Sequence, residues 1–304
     1  AVWDKNFYLF CLACFFIGNG MSFTHQYRFA AAESVEKSYI PKALSIIMLA
    51  TIFSALLGPN IANFNKDLIN GHLYVGSYLS LAALTSVPII FLSFYSPKTE
   101  PASVEKYKGR SYFELILQPR FLQAVASAAF AYAIMSFLMT ATPINMHIME
   151  HYNLNKTGIV IQLHIVSMFL PSLITGNLLK KFGHSKIIYA GVVFYVLTIL
   201  LSFLEPSFFN YILALVFLGL GWNFLYLSGT GLLVLSYKEE EKFKAQGFND
   251  IIVFSIQASA SLSAGYMLSI TSWKTMNLIA VPFLFLIIFS SIRADLSKND
   301  KQRN

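Results

Sequence analysis

Nine stretches of roughly 19 to 29 mostly apolar residues fill this chain from end to end, parted by short polar connectors. A hydrocarbon core about 30 Å thick takes about 20 helical residues at ~1.5 Å each. The spans fall at about 6–26, 42–64, 73–95, 120–146, 157–179, 186–204, 208–236, 246–270 and 273–293. The expected fold is therefore all-α: a polytopic membrane helical bundle of nine transmembrane helices.

Composition excludes a water-soluble alternative. Of 304 residues, 56% are hydrophobic and 12% charged, and the mean hydropathy is +0.59. A soluble helical core would show apolar stripes backed by charged faces, yet segments 187–203 and 211–220 are apolar all round. Cys11 and Cys14 form a lone Cys-x-x-Cys inside the first span, with no second pair or nearby His to complete a metal site.

The lysines and arginines fix the topology. Every second connector carries them: Arg28, Lys37 and Lys42; Lys98, Lys106, Lys108, Arg110 and Arg120; Lys180, Lys181 and Lys186; Lys238, Lys242 and Lys244; Arg293, Lys298, Lys301 and Arg303. These are 18 of the 22 basic residues, and the opposite side keeps only Lys5, Lys66, Lys156 and Lys274. The positive-inside rule makes the larger set cytoplasmic, so a chain in an inner (plasma) membrane would start outside and carry its C-terminus in the cytoplasm. Anionic lipid head groups account for the net charge of +7 without any nucleic-acid partner. An odd number of spans beginning outside, with no initiator Met, leads us to expect further spans upstream.

The longest connector carries Pro97, Pro101 and Pro119 with five positive charges and separates three spans from six. We expect an incomplete N-terminal bundle over 1–96, a cytoplasmic linker over 97–119 and a six-helix C-terminal bundle over 120–304. Within the linker, 111–118 has the apolar pattern of a short interfacial helix stopped by Pro119.

Polar side chains inside a span avoid lipid, so they face a cavity or another helix. Ser136, Thr140, Pro143 and His147 follow i, i+4, i+7, i+11 and share one face of the fourth span; Asn223, Tyr226 and Thr230 share a face beside Trp222; Asp250, Gln257 and Ser261 share a third. Gln162 and His164 sit together in the fifth span. His164 is either a proton carrier, given an unperturbed pKa of ~6.5, or a hydrogen-bonded packing residue. Asp250 is either a helix cap favoured by the dipole or a proton- or substrate-linked carboxylate. Asn19 lies between Gly18 and Gly20, and Arg28 with Glu33 forms either a cytoplasmic gate pair or an ordinary surface pair. No phosphate-binding loop, His-Glu-x-x-His, Gly-x-Ser-x-Gly or Asp-rich pair occurs. No catalytic residue, metal ligand or cofactor is expected, and the protein is not read as an enzyme.

Three strings, His25-Gln26-Tyr27-Arg28-Phe29-Ala30-Ala31-Ala32-Glu33, Gly221-Trp222-Asn223-Phe224 and Gln246-Gly247-Phe248-Asn249-Asp250, with the span pattern and long connector, resemble the major facilitator superfamily, in a poorly characterised bacterial branch. The resemblance covers essentially the whole chain and aligns its spans with the family's helices four to twelve, the first three being absent. The family's loop signature Gly-x-x-x-Asp-Arg-x-Gly-Arg falls on 176–184: Gly176 and Gly183 are present, but Lys180 replaces the acidic residue. A signature of drug/proton antiporters falls on Ser45, Ser54, Gly58, Pro59 and Ala62, small at every glycine place, with Pro59 bending the helix.

The resemblance implies a secondary transporter of a small organic solute, coupled to protons and working by alternating access, as a symporter or as an exporting antiporter. Its cavity would be lined by Asn19, Ser136, Thr140, His147, Gln162, His164, Trp222, Asn223, Tyr226 and Gln257. His164 and Asp250 would carry protons, and Gly58, Pro59, Gly176, Gly183, Arg28 and Glu33 would bend or gate helices. Its partners would be the solute and the bilayer, and the complete protein would be a monomer. A non-transporting sensor of the same fold and a membrane-embedded lipid-modifying enzyme are the competing readings.

Overall fold

A computed structural model describes residues 1–94 and 109–303. The side chains at 55, 56, 59, 154 and 298–303 lie outside that description, as do residues 95–108, which hold most of the expected linker. The helices are α1 (Phe7–Glu33), α2 (Ile40–Phe64), α3 (Val75–Ser93), α4 (Tyr112–Leu117), α5 (Pro119–Ile144), α6 (Leu154–Phe169), α7 (Ser172–Phe182), α8 (His184–Leu201), α9 (Phe208–Val234), α10 (Lys242–Ile270), α11 (Trp273–Ile279) and α12 (Val281–Arg303). Among the described residues, eight stretches are long and apolar enough to cross a membrane, and α2 covers the remaining expected span with 25 helical residues.

Three expected spans are not single rods. The fifth breaks between α6 and α7 at Leu170-Pro171, where proline has no N–H to donate and crowds the preceding turn. The last breaks at Ala280, just before Pro282. Beyond Pro143, α5 relaxes into a π turn over Asn145–Met149. The short interfacial helix is present as α4, closed by a capping box: the Ser111 hydroxyl accepts from the Glu114 N–H at 3.1 Å and the Glu114 carboxylate accepts from the Ser111 N–H. Those hydrogen bonds hold the exposed Glu114 carboxyl below its ordinary value.

The chain divides into two compact units, one formed by Ala1–Tyr27 with Phe53–Lys108 and the other by Arg28–Ile52 with Gly109–Asn304. In the first, Trp3 stacks on His72 with ring centroids 4.0 Å apart and Phe10 meets Tyr78 edge-on. Large apolar side chains, among them Phe7, Phe15, Phe16, Phe23 and Phe91, cover its outer surface, as suits helices solvated by acyl chains. Cys11 and Cys14 are exposed there.

In the second unit α9 is the central helix, buried over most of its length. Its glycines explain how several neighbours approach it at once. A Cβ on Gly219 would strike Ser167 and the His164 carbonyl of α6; one on Gly221 would strike the Tyr195 ring of α8; one on Gly229 would come within 2.8 Å of the Ala124 carbonyl of α5. Without a hydrophobic drive between helices in lipid, such close backbone packing is the main source of association. The Tyr195 hydroxyl closes the seam by donating to the Ala131 carbonyl at 2.7 Å.

Polar ties hold the other ends. Arg110 wraps Glu241, which is 2% exposed, and also reaches Gln118 and the Ser236 carbonyl; Lys244 donates to the Arg110 carbonyl at 2.6 Å. Arg120 meets Asp295 at 3.0 Å and Ser185 at 3.0 Å, joining the starts of α5 and α8 to α12. Gly183, with φ of 82°, makes the sharp turn between α7 and α8.

Candidate functional site

The second unit brings a charge pair and an aromatic cluster together where α1, past the expected end of the first span, meets α10. Arg28, in the last turns of α1, donates from Nη2 to Asp250 of α10, and the two side chains are 3% and 13% exposed. Asn249 donates to the same carboxylate at 2.9 Å. Asp250 lies eight residues inside α10, so the capping role is ruled out and its charge is answered chiefly by Arg28. Removing both charges from water is expensive, so each holds the other in place.

A second tie lies at the end of α1. Glu33 accepts from Gln246 at 2.7 Å and from Lys242 at 3.4 Å, and Gln246 also donates to the Tyr237 hydroxyl at 2.6 Å. Burial holds the Tyr237 phenol above its ordinary value. The expected pairing of Arg28 with Glu33 is therefore corrected. Each pairs with α10 instead, because Glu33 is five residues further along α1 and meets the α10 start rather than its interior.

Beside Arg28 stand four aromatic rings. Trp222 and Tyr226, one turn apart on α9, stack with centroids 4.9 Å apart and planes 19° off parallel. Tyr132 of α5 stands edge-on to both, at 5.2 and 4.9 Å, and Phe254 of α10 meets Tyr132 at 5.8 Å. The Arg28 guanidinium lies 5.1 Å from the Tyr226 ring centre, within range of a cation–π attraction. Sequence reasoning named Arg28, Trp222, Tyr226 and Asp250 but missed Tyr132 and Phe254. The available signal was a lone aromatic hydroxyl in the run of alanines from 128 to 133.

Other expected cavity residues go elsewhere. Asn223 is 1% exposed and stitches the α6–α7 break to α9, donating to the Met168 carbonyl and to Ser172, each at 2.7 Å, and accepting from Thr175 at 2.7 Å. Those bonds answer the carbonyl freed at the break, which needs a donor. His164 is fully buried, its Nδ1 2.7 Å from the Leu215 carbonyl, between α6 and α9. That is the packing reading, not a cavity position.

Thr140 is exposed and bonds Ser261 at 3.2 Å, so the α5 and α10 stripes do meet; Gln257 on the same stripe is half-buried and Ser136 is buried. His147 is exposed at the π turn, with Nδ1 2.8 Å from the Tyr152 carbonyl. Gln162 is exposed, and Asn19 is exposed with its amide returned to the Phe15 carbonyl of its own helix. Gly58 has open space where a Cβ would stand, and the Pro59 side chain is outside the described residues. Gly176 is a close-approach glycine: a Cβ there would come within 2.6 Å of the Ser45 hydroxyl and 2.8 Å of the Pro41 carbonyl on α2. Phe137 lines a mainly apolar cavity of about 370 Å³ between α5, α10 and α12, with Ala133, Ile256, Ser259 and Phe283. Among the described residues no cluster of three or more His, Cys, Asp or Glu side chains could hold a metal ion.

Comparison with known proteins gives a family. The sequence profile described as Major Facilitator Superfamily matches residues 126–303. The riboflavin transporter RfnT of Brucella anthropi is 32% identical over 291 residues, covering 94% of this chain and 72% of that protein. YddS of Bacillus subtilis, an uncharacterized MFS-type transporter, is 30% identical over 89% of this chain and 66% of its own length. In fold, the chain is similar to a bacterial homologue of the iron transporter ferroportin solved in an outward-facing state, with a TM-score of 0.61 at 10% identity, covering 89% of this chain and 67% of that one. With an all-helical multi-span architecture, a profile matching more than half its length and a relative above 30% identity, the chain belongs to the major facilitator superfamily.

Proposed function

We propose that the protein is a secondary active transporter of a small organic solute of the flavin class, working by alternating access in the plasma membrane with its C-terminus cytoplasmic. The cargo class is taken from the likeness to a riboflavin transporter, and the orientation from the 18 basic residues on one set of connectors. The observation that carries the mechanism is the Arg28–Asp250 pair, buried between α1 and α10 beside an aromatic cluster.

The pair supplies a coupling device. With Asp250 ionised, the two charges cancel and hold α1 against α10. A proton on Asp250 leaves Arg28 uncompensated in a low-dielectric setting, which costs far more than in water. The helices then part, or a solute group takes over the carboxylate's role. Thus proton occupancy and the opening of this seam are linked, as alternating access requires. Domain by domain, α5 to α12 act as one bundle and the helices before the linker as the other, and the complete protein acts as a monomer.

The test is uptake of radiolabelled riboflavin into vesicles holding the protein expressed from its complete reading frame, with an imposed pH gradient. Saturable flux that collapses with a protonophore, and that loses its gradient dependence in Asp250→Asn, is expected. Flux indifferent to the gradient in the unaltered protein overturns the proton coupling; no flux of any flavin overturns the cargo class.

A further inference from the structure

The aromatic cluster carries a set of hydrogen-bond donors with nothing to donate to. Arg28 is 2% exposed, Trp222 and Tyr226 each 1%. Among the described residues no acceptor reaches Arg28 Nε, Arg28 Nη1, Trp222 Nε1 or the Tyr226 hydroxyl. Each buried donor left unmade costs about 1–3 kcal/mol, and native interiors rarely keep one, let alone several side by side. The guanidinium donates to Asp250 from Nη2.

From this juxtaposition we propose that Arg28, Tyr132, Trp222 and Tyr226 recognise a flat heteroaromatic ring that carries hydrogen-bond acceptors along one edge, with Arg28 selecting for that edge. The inference deepens the transport reading by assigning the chemistry of the cargo's recognised part, and it rests on that reading for the parting of α1 from α10 that admits the ring.

Competing ligand chemistries fit less well. A hydrocarbon ring would use the stacked Trp222 and Tyr226 faces but leave every donor unanswered. A cation would be repelled by Arg28, whose positive charge already lies over Tyr226. A small inorganic anion would satisfy Arg28 and leave the aromatic faces idle. A ring bearing carbonyl oxygens and ring nitrogens uses both: Trp222 and Tyr226 stack on each other, so once α1 parts from α10 and Arg28 leaves Tyr226 the ring takes the guanidinium's place over Tyr226 with Trp222 backing the stack, and its acceptor edge answers the N–H and O–H groups. Tyr132, edge-on to both rings at 90° and 89°, walls the side of the stack.

The test is equilibrium dialysis with the protein from its complete reading frame in lipid nanodiscs. The probes are lumichrome, a tricyclic dione, and phenazine, its flat counterpart without carbonyls. Lumichrome is expected to bind saturably and at least about tenfold tighter than phenazine. Tyr226→Phe, which keeps the ring and loses the donor, should weaken lumichrome about tenfold and leave phenazine unchanged, on the scale of one lost hydrogen bond, and Trp222→Phe, which also loses part of the stacking surface, should weaken lumichrome more than it weakens phenazine. Arg28→Lys, which keeps a charge for Asp250, should weaken lumichrome alone.

Equal binding of the two probes, or lumichrome binding unmoved by the phenylalanine variants, overturns the assignment. A thermal-melt comparison separates a lost donor from a misfolded variant, and a variant that melts early is replaced by its partner in the pair. Probe selectivity retained in a protein with no gradient-driven flux supports the site and overturns the transport reading; flux without probe selectivity overturns the site and leaves transport standing.

Discussion

Arg28 and Asp250 meet across 222 residues of chain, one near the end of α1 and the other a third of the way along α10. The contact joins two helices that are distant in sequence, so it depends on the tertiary arrangement.

Removing one member should therefore be worse than removing both. Asp250→Ala leaves a buried guanidinium uncompensated and should cost about 3–5 kcal/mol, whereas Arg28→Met with Asp250→Leu should restore much of that loss. Thermal unfolding in detergent of the single and double variants measures it. A double variant as unstable as the sum of the singles would contradict the pairing.

The Arg110–Glu241 contact makes a second, structural prediction. Glu241 is 2% exposed and takes hydrogen bonds from both the backbone and the side chain of Arg110. Arg110→Ala should destabilise by about 2–3 kcal/mol by stranding that carboxylate, and Arg110→Lys should recover little, since a point charge cannot replace the planar fork. The readout is the melting temperature, with transport kinetics per folded molecule unchanged.

Asn223→Ala should behave as a packing defect. Loss of its bonds to the Met168 carbonyl, Ser172 and Thr175 should lower stability by about 2–4 kcal/mol while leaving the KM of any surviving flux within about twofold of the original. A large KM change without a stability change would return Asn223 to the cavity. This residue also marks where the sequence ceases to be readable. Hydropathy located the eight stretches that are long and apolar enough to cross a membrane among the described residues, because lipid demands about 20 apolar residues whatever the neighbours are, and angular spacing put Thr140 and Ser261 on faces that meet. For α9 the same arithmetic misleads. The helix is surrounded, so Asn223 and Tyr226, only three residues apart, face different neighbours, and periodicity says which side a residue takes but not what waits there. The α6–α7 break is equally silent, since Pro171 sits in an apolar run that satisfies the length rule with or without a kink. Tyr132 was hidden by its alanine neighbours, whose smallness is what lets α9 come close.

Glycine contacts give a steric prediction. Gly219→Ala should cost about 1–3 kcal/mol, the usual penalty for overfilling a packed seam, because its Cβ meets the His164 carbonyl as well as a movable hydroxyl. Gly247→Ala, with open space around it, is the control and should be neutral or slightly stabilising. Yield of monodisperse protein and the melting temperature distinguish the two.

For α4 the prediction concerns pH. Glu114 has its carboxyl held below the ordinary value by the capping box, so its contribution is complete above that ordinary value and fades as the pH falls through the lowered one. Hydrogen exchange over 112–117 should accelerate in acid, and Glu114→Gln should show the faster exchange at neutral pH without further acid dependence.

The break between α6 and α7 alters what that span can do. Its Met168 carbonyl is served from outside by the Asn223 amide of α9, which also holds Ser172 and Thr175 beyond the break, so a single side chain clasps both half-rods and fixes the angle between them. A continuous helix would run straight past these neighbours; this one is a bent rod with its elbow clamped, seated against α2 at Gly176 and against α9 at Gly219.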